Sequence, residues 1–176
     1  MKKVLYILGK LEDEDVDWLV ANGERRSLSA GEVLIQEGKA VEHVHVVVEG
    51  SLEAVLGDGT VLSTLGAGEV VGELSFLDSR PPAATVRAAA DARVLAVPRD
   101  LLATKLESDV PFSARFYRAL GTFLAARLRS TVAAMGYGSA PGSEYEDPEE
   151  LDPDLLDEVS LAASRFDWLL RRLRGD

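Results

Sequence analysis

The spacing of apolar positions changes three times along the chain. In residues 11–20, Leu11, Val16, Leu19 and Val20 share one helical face. Acids crowd the first turn of that stretch, where the helix dipole favours them, and Asn22-Gly23 offers a stop. From about 27 to 98 the pattern becomes that of short strands between glycine turns. Residues 32–35 run from Gly31 to Gly38, and 43–48 end at Gly50. Residues 52–56 and 61–65 meet across Gly57-Asp58-Gly59, a strong hairpin signal. Gly66-Ala67-Gly68 makes the next turn, and 84–88 and 92–97 flank a further reversal. Short strands at this regular spacing predict a sandwich or barrel, with the regularity of hairpins.

The helical period then returns. Asp100 is placed to cap a helix beginning at Leu101-Leu102. Pro111 suits the first position of a second helix running to about Met135. On it Phe116, Leu120, Phe123, Leu124 and Leu128 recur at spacings of three and four and form an apolar face. A Gly/Ser/Pro-rich stretch from Gly136 reads as a linker. The final stretch, 153–174, predicts an amphipathic helix with a seam of Leu155, Val159, Ala162, Phe166, Leu169 and Leu173. The pattern divides the chain into a folded unit at 1–135, an acidic linker at 136–153 and a C-terminal helix at 154–176.

Charge sharpens this division. The formal net charge is −11, a value that disfavours nucleic acid and anionic membranes as partners. Nine acids and no Lys or Arg lie between Glu144 and Glu158, so the remainder of the chain carries only −2. The folded unit is therefore nearly neutral, and its charge does not forbid an anionic ligand. Only one helix is expected in 136–176, too little for a DNA-reading helix pair, and the stretch leading into it is acidic. The chain has no cysteine, which excludes disulfides, thiolate metal sites and cysteine nucleophiles. The apolar run at 4–8 is too short for a secretory core and no segment is long enough to span a membrane, so a cytoplasmic protein is expected. Neither a Gly-x-Ser-x-Gly elbow nor a Gly-Lys-Ser/Thr phosphate loop occurs, so no enzyme is expected. His43 and His45 share a strand face without the carboxylates that would complete a metal site; no metal and no cofactor are expected.

The segment from Gly72 to Val86 carries the most chemistry. A strand ends at a glycine, an acid opens a short helical turn, and a run of small residues follows. Exposed backbone N–H groups at such a turn favour an anion. Arg80 is near enough to pair with phosphate oxygens, and Glu73 can accept from a sugar hydroxyl. Glu73 has a second reading, as a cap of the short helix or a partner of Arg87.

Gly72-Glu73-Leu74 followed by Ala83-Ala84-Thr85-Val86 resembles the phosphate-binding cassette of cyclic nucleotide-binding domains. Gly31, Gly38, Gly50 and Gly66-Ala67-Gly68-Glu69 match the glycines upstream in that family. The resemblance covers about 11–134. It implies an α+β fold: an eight-stranded β jelly-roll barrel, an N-terminal helix, B and C helices that close over the ligand, and here an extra C-terminal helix. It also implies a stand-alone, catabolite-activator-like sensor without a helix-turn-helix. The implied ligand-binding residues are Gly72, Glu73, Leu74, Ser75, Arg80, Pro82, Ala83, Ala84 and Thr85. Ala83 stands where members preferring cGMP often carry threonine, so the resemblance favours cAMP.

One departure bears on binding. The arginine that pairs with phosphate in the family aligns with Pro82. Loss of a charge-assisted contact weakens anion binding by about 1.5–3 kcal/mol, or one to two decades in affinity. Arg80 offers a replacement cation from a different backbone position. Two readings follow. The chain is a non-enzymatic cyclic nucleotide sensor that signals to a protein partner or within a homo-oligomer, or it is a ligand-free barrel serving as an interaction module through its C-terminal helices.

Overall fold

A computed structural model of the chain describes residues 9–134 and 153–174. Helix α1 (Asp13–Asn22) begins with a reciprocal cap, in which the Glu12 N–H donates to Asp15 Oδ2 at 2.7 Å. It ends at Gly23, where a Cβ would stand 2.6 Å from the Leu95 side chain. Eight strands follow: β1 (Glu24–Leu28), β2 (Val33–Ile35), β3 (His43–Glu49), β4 (Ser51–Val55), β5 (Val61–Gly66), β6 (Val70–Val71), β7 (Thr85–Ala88) and β8 (Ala92–Pro98). Helix α2 (Glu73–Asp78) lies between β6 and β7. Helices α3 (Arg99–Ser108), α4 (Val110–Ala134) and α5 (Pro153–Arg174) complete the order.

The strands form two four-stranded antiparallel sheets, β1-β8-β3-β6 and β2-β7-β4-β5. This corrects the expectation of a closed barrel, because among the described residues no strand pairing joins one sheet to the other. Of consecutive strands only β4 and β5 pair, across the Asp58-Gly59 turn. The expected reversal between 84–88 and 92–97 makes no hairpin. Strand β7 pairs with β2 and β4, whereas β8 pairs with β1 and β3, so the turn carries the chain from one sheet to the other.

Alternation along β3 explains the layering. Val47 joins Leu52, Ile35 and Val86 between the sheets, while Val44, Val46 and Val48 face the helices. The sheet containing β3 is thus covered on both faces. Its outer cover is built from Leu11, Val16 and Leu19 near α1, Phe112, Phe116 and Phe123 of α4, and Leu169 of α5. Arg115 fastens α4 to α1 through two bonds, Nε and Nη2 to the buried Asp15 carboxylate at 2.7 and 2.8 Å. Arg165 fastens α5 to α1, with Nε 2.7 Å from Asp13 Oδ1.

Three expectations about the helices are corrected. Asp100 does not cap α3; Pro98 occupies the cap and Asp100 lies in the first turn. Helix α4 begins at Val110 rather than Pro111, because Asp109 Oδ1 accepts the Phe112 N–H at 3.0 Å and caps it one residue earlier. Leu128 is 64% exposed, since burial along α4 fades after Leu124 as the helix outruns the surface it packs on. Within the expected seam of α5, Phe166 is half-buried and Leu169 is 1% exposed. The side chains of Leu155, Val159, Ala162 and Leu173 lie outside the described residues, as does the linker up to residue 152. No described helix is long and apolar enough to cross a membrane.

Candidate ligand-binding site

Strand β6 ends at Gly72, whose φ is +88°. A Cβ here would lie 2.9 Å from the His43 carbonyl oxygen and 3.1 Å from Val41, so both conformation and space demand glycine. The turn delivers Glu73 to the first position of α2 and buries it to 2% exposure. Burial raises its pKa above the usual carboxylate range. Arg127 of α4 opposes that shift, with Nη1 3.0 Å from Glu73 Oε1. The expected alternative partner, Arg87, is engaged elsewhere. It stands opposite Glu53 in the β4–β7 register and donates to Glu53 Oε1 at 2.9 Å.

The rest of α2 is held from the same side. Ser75 is buried, and its carbonyl accepts from Arg99 Nη1 at 3.0 Å. Arg99 Nη2 also donates to Ser79 Oγ at 3.0 Å, and its guanidinium lies 5.9 Å from the Phe76 ring centroid. Phe76 meets Phe116 of α4 edge-on at 6.4 Å. Leu74 points away from all of this and is 58% exposed.

The segment leading into β7 is tied to the loop between β2 and β3. The Pro82 carbonyl accepts the Gly38 N–H at 2.9 Å, and Thr85 Oγ1 accepts the Glu37 N–H at 3.2 Å. Ala84 packs against the core between the sheets, and Ala83 is exposed. Gly72 rests on Val41 and His43 of the same region, so residues 37–43 meet both halves of the segment. Arg80 is turned outward. Its side chain is 84% exposed, and its nearest acid is Asp78 at 3.8 Å.

Local sequence patterns missed Arg127 and Arg99. Arg127 was signalled indirectly, because it continues the 116, 120, 123 series of buried positions and puts a cation where the period asks for an apolar residue. Arg99 left no such signal. Among the described residues no three His, Asp or Glu side chains converge to hold a metal.

The family model for the cyclic nucleotide-binding domain matches residues 25–109, which include every residue of the β6–α2–β7 site. Residues 25–109 belong to the cyclic nucleotide-binding domain family. Such domains are regulatory sensors. The chain is 26% identical over 118 residues to an uncharacterised NTE family protein of Mycobacterium tuberculosis, covering 67% of this chain and 20% of that protein. It therefore spans about a fifth of the length of the curated relatives it matches first. A cyclic nucleotide-binding domain from Methylobacillus flagellatus shares its fold, with a TM-score of 0.68, 21% identity and coverage of 76% of this chain and 81% of that one. The N-terminal domain of a transcriptional regulator from Streptomyces coelicolor is 31% identical, with a TM-score of 0.58 and coverage of 75% and 94%.

Proposed function

We propose that the chain is a cytoplasmic, non-enzymatic sensor of a cyclic nucleotide of cAMP type, in which α4 carries the response. The observation that supports this most is the Glu73–Arg127 pair. A carboxylate that is 2% exposed costs free energy unless it is paired, and here a single long helix supplies the partner. A ribose hydroxyl donating to Glu73 competes with Arg127 for the same oxygens. Ligand entry thereby loosens the hold of α2 on α4, and the ligand's differential contact with the two arrangements is what shifts the equilibrium. Ala83 presents no hydroxyl to a guanine, in keeping with cAMP. Pro82 supplies no cation for the phosphate, so affinity is low for such a site.

Calorimetry on the full chain tests this reading. Expected is cAMP binding that Glu73→Ala weakens by about tenfold or more, and that Pro82→Arg tightens by about one to two decades. Absence of both heat and thermal shift at saturating nucleotide overturns it. A second reading, the ligand-free interaction module, is favoured by the outward Arg80 and by Glu73 having its cation already. It is the correct reading if binding is seen only after Pro82→Arg and the chain forms an oligomer without ligand.

A further inference from the structure

Helix α4 carries an apolar stripe that the described residues leave largely exposed. Tyr117, Leu128 and Val132 are 47%, 64% and 39% exposed, with Leu124 half-buried beside them. Gly121 opens the middle of this line, since a Cβ there would meet nothing within 4 Å. The positions follow one another at spacings of four, three, four and four, so they form one continuous stripe along the helix. Helix α2 carries exposed leucines of its own, Leu74 and Leu77, at 58% and 44% exposure. Helix α2 is held against α4 by the Glu73–Arg127 pair and the Phe76–Phe116 contact.

The charge beside the stripe is one-sided. Residues 110–134 contain four arginines and no Asp or Glu, in a chain whose net charge is −11. Arg115 and Arg127 are satisfied by Asp15 and Glu73. Arg118 and Arg129 are exposed and meet no carboxylate among the described residues. A second α4 laid on this face would bring them none either.

We propose that this face of α4 is a docking surface for an acidic amphipathic helix of a partner protein. The partner's apolar positions cover Tyr117, Leu128 and Val132, and its flanking carboxylates meet Arg118 and Arg129.

Fluorescence polarisation on the full chain tests the proposal with two labelled peptides. Both carry leucines at i, i+3, i+4 and i+7, one flanked by glutamates and the other by lysines. At low salt the acidic peptide is expected to bind about tenfold or more tightly than the basic one, and high salt is expected to shrink that preference. Arg118→Glu with Arg129→Glu is expected to reverse the preference. Leu128→Glu, on an exposed position, is expected to weaken the acidic peptide by about tenfold with an unchanged circular dichroism spectrum. Equal binding of the two peptides, no binding, or indifference to Leu128→Glu overturns the proposal. So does light scattering that shows a dimer which Leu128→Glu converts to monomer, since the occupant is then a second copy of this chain.

Discussion

His45 is buried to 3% exposure on the inner face of β3, and its Nδ1 meets no hydrogen-bond partner among the described residues. Burial pushes its pKa down to about 4 from 6.5, with the charges of His43 and Arg26 adding to the effect. The folded state therefore binds fewer protons than the unfolded state between these two values. Stability contributed by neutral His45 is complete above pH 6.5 and is lost as pH falls towards 4. Between pH 7 and pH 5 the loss amounts to about 2 kcal/mol. His45→Leu keeps a similar volume and removes both the titration and the unpaired nitrogen. In urea unfolding the variant is expected to lose about 2 kcal/mol less than wild type between those pH values. Parallel pH profiles for the two proteins would remove His45 from the account of acid sensitivity.

The elements that were legible in the sequence are those in which burial alternates or follows the helical period. Strands β4 and β7 show alternation and α1 and the first half of α4 the helical period, whereas β3, buried on both faces, is legible from its valine run ending at Gly50. Strand β1 was invisible for a physical reason: as an edge strand, Glu24–Leu28 buries only Leu28, so no period of two survives. Strand β6 has two residues and is too short to carry a pattern. The first half of the site was legible because Gly72 and Glu73 are neighbours in sequence. Arg127 was not, because it lies 54 residues from its partner and a pairing over that distance leaves no local spacing. The turn from β6 into α2 can be tested by a matched pair of substitutions. Gly72 and Gly31 have φ values of +88° and +83°, but only Gly72 is crowded, and a Cβ at Gly31 meets nothing within 4 Å. Gly31→Ala is expected to cost about 1 kcal/mol from conformation alone. Gly72→Ala adds displacement of the His43 carbonyl and is expected to cost about 2–3 kcal/mol. Equal losses in urea midpoint would show that close packing at Gly72 does not hold the site together.

At the scale of the whole molecule, α5 decides how much of the chain unfolds as one unit. Its Leu169 is 1% exposed and shares a core with Leu19, Leu95 and Phe116, residues from α1, β8 and α4. Arg25 of β1 donates to the Arg172 carbonyl at the end of α5, a second tie between the helix and the sheet. An exposed amphipathic helix joined only by its linker would give no such burial. Truncating a buried leucine removes transfer free energy and leaves a cavity, so Leu169→Ala is expected to cost about 2–5 kcal/mol. Leu161, on the same helix and 45% exposed, serves as the control, and Leu161→Ala is expected to change stability by about 0.5 kcal/mol or less. Both variants should unfold in one transition with the wild-type denaturant slope, because the core that Leu169 joins also contains residues of β8. If Leu169→Ala instead matches Leu161→Ala, or melts α5 in a separate early transition, the helix is an appendage and the sheet is stable without it.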